Sequence, residues 1–272
     1  MSHLFDIETE PSRVPMEGPD ETNAGRWTTR LSGGWNIGEN SNGGYLVAAA
    51  LRAMSELTEQ PDLLTVTTHF LRPGIGEEDA VIDGRVVKHG RTMTTIRGAM
   101  HQQGKQRVEV TAGFGSLDAA AGERALTVGP PDVPDPASCV DRKDLEQGVD
   151  LPIMQRLDVR IHPHQAVAGR SDEAKVSGWI RHIDGREPDT TSLALFCDAF
   201  PPSVFALYGY IGWVPSLELT TQIRRRPAPG WICAELRTDD LHNGLFVETG
   251  SLWDSTGELV ARVRQLAMLR TR

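Results

Sequence analysis

The feature that most constrains this chain is a plan that occurs twice, an apolar helix-like segment followed by four strand-like runs. In the first half, residues 42–57 (NGGYLVAAALRAMSEL) precede LLTVTTHFLR, AVIDGRVVKHG, RTMTTIRGAMHQQG and KQRVEVTAGFG. In the second half, residues 190–209 (TTSLALFCDAFPPSVFALYG) precede SLELTTQIRRRP, GWICAELRTDD, LFVETGSLWDS and ELVARVRQLAMLR. Such a pattern predicts an internally duplicated α+β protein.

The entrances to the two predicted sheets share residues. Thr67-Thr68 leads to Arg72-Pro73 in the first half, and Thr220-Thr221 leads to Arg226-Pro227 in the second. We expect each half to wrap its sheet around its own apolar helix. The two sheets can then pair edge to edge, which removes exposed strand edges.

A segment of different composition separates the halves. Residues 117–152 contain GPPDVPDP, an Ala/Gly stretch and many acids, with little periodicity, which is typical of a linker. The predicted organisation is an N-terminal domain over residues 1–116, this linker, and a C-terminal domain over residues 153–272.

Composition and charge exclude several classes of function. A formal net charge of -9 argues against a nucleic-acid partner. No stretch approaches the roughly 20 apolar residues of a spanning helix, and the acidic N-terminus lacks the features of a secretory signal. We therefore expect no membrane span and a cytoplasmic location. The three widely spaced cysteines, Cys139, Cys197 and Cys233, form no CxxC pair and favour reduced, buried thiols.

Five separated segments carry a family resemblance. They are NGGYLVAAAL, HFLRPG (residues 69–74), HGRTMTTIRGAMHQQGK, HIDGREPD (residues 182–189) and VARVRQLAMLR (residues 260–270). In this order they resemble the acyl-CoA thioesterase II family, the TesB-like double-hotdog thioesterases of lipid metabolism. The resemblance implies two tandem hotdog domains, each an antiparallel sheet wrapped around a central helix. It also implies hydrolysis of acyl-CoA without a metal or cofactor, and assembly into a homo-oligomer.

The resemblance also implies site residues. The family uses an Asp on the second helix, a Thr or Ser on the following strand and a Gln on the last strand. These match Asp198 in FCDAF, Ser216 at the start of SLELT and Gln265 in RVRQLAM. The Gly pair that opens the family's first helix matches Gly43 and Gly44.

The residues themselves leave both structural and functional roles open for the Asp and the Gln. Gln265 shares its strand face with apolar residues by the period-2 rule, so a buried amide there needs a partner, either structural or functional. Asp198 lies in an apolar segment, and carboxylates are rarely buried unless paired. It is a solvent-facing helix end, a structural partner of an arginine, or a functional group.

Together these residues suggest a hydrolase without a covalent intermediate. In this hypothesis Asp198 is a general base that holds a water, which Ser216 and Gln265 orient toward the thioester carbonyl. The backbone N–H groups of Gly43 and Gly44 are the candidate donors to the tetrahedral oxygen. Equally, the two glycines let the helix enter the sheet closely.

Other candidate sites are weaker. His162-Pro163-His164 has no third metal ligand at a sensible spacing, so we expect no metal site. The arginines at residues 224–226 either meet the phosphates of coenzyme A or form a solvated strand end. Glu218, on the same strand face as Ser216, is a second candidate for the catalytic carboxylate, but the pattern favours an exposed acidic residue on a strand.

Three other functions compete with hydrolysis. The alternative is a double-hotdog protein that binds acyl-CoA but is non-catalytic or weakly active. A hotdog hydratase needs an Asp/His pair, and neither residues 44–54 nor residues 191–200 contain a histidine. An α/β-hydrolase needs a G-x-S-x-G elbow, which the sequence lacks.

Overall fold

The structure is a computed structural model that describes residues 2–16, 22–118, 122–123, 126–209 and 211–269. Within these ranges the α-helices are α1 (Leu4–Glu8), α2 (Gly43–Ser55), α3 (Thr190–Phe196) and α4 (Val204–Tyr208). The strands are β1 (Ser12–Val14), β2 (Ala24–Arg30), β3 (Asn36–Ile37), β4 (Asn40–Ser41), β5 (Asp62–Phe70), β6 (Gly74–Ile75), β7 (Asp79–His89), β8 (Met93–Gln102), β9 (Lys105–Gly115), β10 (Val140–Asp141), β11 (Leu157–Ile161), β12 (Lys175–His182), β13 (Ser216–Ile223), β14 (Ile232–His242), β15 (Leu245–Trp253) and β16 (Leu259–Met268).

One antiparallel sheet of thirteen described strands runs through both halves of the chain. Its strand order is β1-β2-β7-β8-β9-β5-β13-β16-β15-β14-β12-β11-β10. The first six strands come from the first half and the other seven from the second, and a small sheet, β3-β4-β6, lies in the first half. The predicted α+β architecture of two hotdog-like units is confirmed, because each half contributes a meander and a central helix.

The two halves join where β5 pairs with β13. Thr67 lies directly opposite Thr220, and their hydroxyl oxygens share a hydrogen bond of 2.9 Å. Both strands carry a β-bulge, at Leu64 and at Leu217, and the same 153-residue spacing relates these leucines and the two threonines. Equivalent residues therefore face each other across a local two-fold axis. The expected edge-to-edge pairing is present, and neither joining strand is left as an edge.

Helix α2 is the core of the first half. The side chain of Asn42 caps it by accepting a hydrogen bond from the Tyr45 N–H at 3.0 Å. Ten of its thirteen residues are buried, as expected for a helix that is apolar on all sides. Its first turn packs against α3, which brings the Gly pair to the second half of the chain.

The second predicted helical segment is divided in the structure. Helix α3 ends at Phe196 and α4 begins at Val204. Asp198 therefore lies in the turn after α3 and not on a helix, and its N–H donates to the Leu195 carbonyl at 3.1 Å. The physical reason is Pro201-Pro202, which supply no N–H donors and exclude the preceding residue from helical conformation.

The eight predicted strands are all present, as β5, β7, β8, β9, β13, β14, β15 and β16. Strands that were not predicted extend both ends of the large sheet. Part of the predicted linker differs as well, because Val140 pairs with Ile161 and Asp141 with Arg160, so that β10 forms the last strand of the sheet. The prolines and acidic residues of the predicted linker hide the strand pattern of β10 in the sequence.

Candidate active site

A cavity of about 360 Å³ lies where the start of α2, the turn after α3 and the strands β13 and β16 meet. Asp198, Ser216 and Gln265 all line it, although they are widely separated in the sequence. Gly43 also lines it, whereas Gly44 lies behind the wall. The volume is within the range of small-molecule sites.

The Asp198 carboxylate is held at the N-terminus of α2. Its Oδ2 accepts hydrogen bonds from the Gly44 N–H at 2.8 Å and from the Asn42 amide at 3.0 Å. The same amide donates to the Asp198 carbonyl at 2.9 Å. Burial raises the pKa of Asp198 from its ordinary value of 3.8 to about 6, while these donors and the charge of Arg142 favour the ionised form.

Gly44 is required for this close approach. A Cβ at Gly44 would lie 2.8 Å from the Leu195 carbonyl oxygen and 3.1 Å from the Asp198 Cβ. The close-entry interpretation of the glycine pair therefore fits the packing. The Gly44 N–H donates to Asp198, and the Gly43 N–H also stabilises that carboxylate. The predicted contact of these groups with substrate stays a prediction, and Gly44 is the less suited of the two because its N–H makes the stronger hydrogen bond to Asp198.

Ser216 and Gln265 touch each other across the β13–β16 pair. The Gln265 amide donates a hydrogen bond to the Ser216 hydroxyl. The inward face predicted for Gln265 is confirmed, because Ala261, Val263 and Ala267 are buried on the same side. The bulge at Leu217 precedes the regular register, in which Gln265 lies opposite Leu219, and Ser216 remains on the cavity side.

Glu218, the rival carboxylate, does not line the cavity. It accepts a hydrogen bond from the Thr220 hydroxyl, which in turn bonds Thr67 at the junction of the halves. The arginines at residues 224–226, the candidate phosphate contacts, do not line the cavity either. Arg225 pairs with Glu258 at 3.2 Å, and Arg226 pairs with Asp62 at 2.6 Å.

The equivalent positions in the first half are apolar. Through the 153-residue spacing, Leu63 corresponds to Ser216, and Ala112, which lies opposite Val66, corresponds to Gln265. Both Leu63 and Ala112 are buried. The positions of the first half that correspond to Ser216 and Gln265 therefore offer neither a hydroxyl nor an amide.

Comparison with known proteins identifies the family. A family model described as the acyl-CoA thioesterase N-terminal domain matches residues 31–115, and one described as the acyl-CoA thioesterase C-terminal domain matches residues 131–269. The chain belongs to the acyl-CoA thioesterase family. The C-terminal match begins inside the predicted linker, upstream of β10.

Individual relatives resemble this chain over most of its length. The uncharacterised protein Rv0499 of Mycobacterium tuberculosis is 27% identical over 267 residues, covering 86% of this chain and 88% of that protein. A protein from Thermobifida fusca, assigned to thioesterase II by its description alone, superposes with a TM-score of 0.86 at 29% identity, covering 99% and 98% of the two chains. A hot dog fold protein of unknown function from Alicyclobacillus acidocaldarius gives a TM-score of 0.86 at 23% identity over the full length of both chains, a likeness of fold.

Two buried charged residues of this thioesterase-family cavity were not predicted. Arg142 is 2% exposed and Glu248 is 4% exposed, and both line the cavity. The alternation of Phe246, Glu248 and Gly250 on the inward face of β15 could have revealed Glu248. Arg142 lies in a short 3₁₀ helix of the predicted linker, where no periodicity marks it.

The remaining candidates contribute no further chemistry to the site. Cys197 lines the cavity, but burial raises the pKa of its thiol to about 12, so it is a poor nucleophile at neutral pH. His162 and His164 lie with ring centroids 5.4 Å apart, and the described part of the chain holds no cluster of three metal-ligating side chains. No helix within the described ranges is long and apolar enough to cross a membrane.

Proposed function

We propose that this protein hydrolyses acyl-coenzyme A thioesters to the free acid and coenzyme A. The observation that carries the proposal is the convergence of Asp198, Ser216 and Gln265 on one cavity in a member of the acyl-CoA thioesterase family. A carboxylate with a raised pKa that lines the same cavity as a paired hydroxyl and amide suits activation of water, because perturbed acids cluster at functional sites.

In the proposed reaction Asp198 takes a proton from water as its oxygen attacks the thioester carbonyl carbon. Ser216 and Gln265 orient this water, and their mutual hydrogen bond limits the rotamers of both side chains. The tetrahedral intermediate collapses by breaking the C–S bond. The proton taken by Asp198 ends on the coenzyme A sulfur, which regenerates the carboxylate.

The tetrahedral oxygen needs hydrogen-bond donors during this step. We assign them to the second N–H of the Gln265 amide and to the Gly43 N–H, at the first residue of α2, whose contact with the Asp198 carboxylate is weaker than that of Gly44. The positive end of the α2 dipole favours negative charge at the same point. Gly44 then acts indirectly, by holding Asp198.

The phosphates of coenzyme A require a solvent-exposed cation at the edge of the cavity. Arg72 is exposed and lines the cavity, and its Nη1 donates to the Gln106 carbonyl at 3.0 Å. We assign phosphate contact to Arg72 in place of the arginines at residues 224–226, because a guanidinium bonds phosphate oxygens in a bidentate manner.

A thiol-release assay over a series of acyl-CoAs of different chain lengths tests the proposal. We expect turnover by the wild type, a loss of about 10²–10⁴-fold in kcat for Asp198→Asn, and near-normal rates for the control Glu218→Gln. A wild type that binds acyl-CoA but releases no thiol from any substrate would support the alternative, a non-catalytic binding protein. Equal loss in Glu218→Gln would remove Asp198 as the base.

A further inference from the structure

A buried cation lies beside the proposed active site. The Arg142 side chain lines the cavity, and its Nη1 donates to the Ala199 carbonyl at 2.6 Å. Its Nη2 has only a long contact of 3.4 Å to the Gln147 amide oxygen, and its Nε has no hydrogen-bond partner among the described residues. Within the same described part of the chain, no carboxylate lies within 4 Å of this guanidinium.

Such an arginine is costly for the fold. Buried charges are normally paired, because removal from water costs free energy that an ion pair offsets. Burial lowers the pKa of Arg142 to about 10, which still leaves it protonated at neutral pH. Beyond the Ala199 carbonyl, a carboxylate farther than 4 Å away can balance this charge.

Asp198 is that carboxylate. Arg142 holds the carbonyl of Ala199, the residue that follows Asp198, and so fixes the turn that carries it. The charges of Arg142 and Asp198 each raise the stability of the other's ionised form. Glu248, on β15, acts in the opposite sense, because its pKa is raised by burial and further by the charge of Asp198.

Apart from Arg142 and Glu248, the described groups around Asp198 are neutral. The Cys197 thiol is neutral at physiological pH, because burial raises its pKa to about 12. The helix α2 contributes neutral donors, the Gly44 N–H and the Asn42 amide. Arg142 is thus the buried cation of this cavity among the described residues, while Arg72 is exposed to solvent.

We propose that Arg142 is a positioning residue of the site, which fixes the Asp198 turn and keeps the Asp198 carboxylate ionised and able to act as a base. This inference rests on the proposed function for its consequence, but its electrostatic part concerns Asp198 alone. It also assigns the predicted linker an active-site role, because Arg142 lies within it.

The pH dependence of thiol release tests the electrostatic role. Arg142→Met keeps a long unbranched side chain and removes the charge, whereas Arg142→Lys keeps the charge. On the acid side of the pH profile, kcat/KM falls with a midpoint that reports the titration of the base. We expect this midpoint to shift to higher pH by about one unit or more in Arg142→Met, because a nearby opposite charge is lost. It should stay near the wild-type position in Arg142→Lys. The control is Lys143→Met, which removes an exposed positive charge one residue along.

A merely structural role for Arg142 predicts a different result. Both Arg142 variants would then lose rate at all pH values with no shift of this acid-side midpoint, and that outcome would overturn the inference. Circular dichroism and urea unfolding of each variant establish that the fold is retained. If Arg142→Met does not fold, the Arg142→Lys and Arg142→Gln variants give the same comparison of charge kept against charge lost.

A second readout needs no activity. The difference in unfolding free energy between each protein and its Asp198→Asn derivative reports the titration of Asp198 directly. We expect the midpoint of this difference to shift upward by about one pH unit in the Arg142→Met background. An unchanged midpoint contradicts the inference. Because this measurement does not depend on turnover, absence of thioesterase activity would refute the proposed function while leaving the role of Arg142 testable.

Discussion

Replacing Asp198 with asparagine should stabilise the protein while it abolishes activity. The folded-state pKa of Asp198, about 6, lies above its ordinary value of 3.8, so the folded protein binds this proton more tightly than the unfolded chain. The contribution of Asp198 to stability is complete below pH 4 and is lost as the pH rises through 6. A difference of about two pKa units corresponds to about 3 kcal/mol between the two limits.

The magnitude at accessible pH values follows from the same linkage. Between pH 5 and pH 8 the unfolding free energy of the wild type should fall by about 1.4 kcal/mol because of the titration of Asp198. The asparagine variant has no such titration. The unfolding free energy of Asp198→Asn minus that of the wild type should therefore be larger at pH 8 than at pH 5 by that amount. Urea unfolding of both proteins at the two pH values measures it.

The exposed carboxylate Asp172 supplies a matched control, because Asp172→Asn makes the same chemical change outside the cavity. The same titration predicts that kcat/KM of the wild type falls about tenfold per pH unit below pH 6. An identical stability difference between wild type and Asp198→Asn at pH 5 and pH 8 would refute the reasoning that burial raises this pKa.

Three further predictions concern the geometry of the site and the junction. Gln265→Ala and Ser216→Ala should each lower kcat by about 10–100-fold with little change in KM, because both side chains act on the attacking water or on the tetrahedral oxygen and not on the substrate in its ground state; equal changes in KM, measured by thiol release, would contradict this role. Gly44→Ala should destabilise the fold by about 2 kcal/mol, through the clash of its Cβ with backbone, and lower activity as well; urea unfolding at wild-type stability would contradict the packing. Thr67→Val and Thr220→Val should show a coupling energy of about 1 kcal/mol in a double-mutant cycle, and additive effects would mean that the junction does not depend on their hydrogen bond.

The regular parts of the fold were predictable because they depend on local patterns. The period-2 alternation around Gln265 gave its inward face, and the repeated helix-and-meander plan gave the duplication. The matching threonine pairs marked the entrances of the equivalent strands, and the structure joins Thr67 and Thr220 directly. These features require no knowledge of distant contacts.

The parts that were missed depend on contacts between distant segments. Asp198 was expected on a helix, because apolar spacing extends across residues where α3 has already ended ahead of two prolines. Arg142 lies in a proline-rich and acidic region, and only its contact with Ala199, 57 residues away, reveals its position. The engagement of the Gly44 N–H by Asp198 is likewise a contact between the two halves, which no local pattern encodes.

The most direct test of the central claim is a crystal structure with a non-hydrolysable acyl-CoA thioether. The account predicts that the acyl group occupies the cavity, with one water contacting Asp198 and the Ser216–Gln265 pair on the side of the reacting carbon. An acyl group bound outside the cavity, or a reacting carbon that faces none of these three side chains, would contradict it.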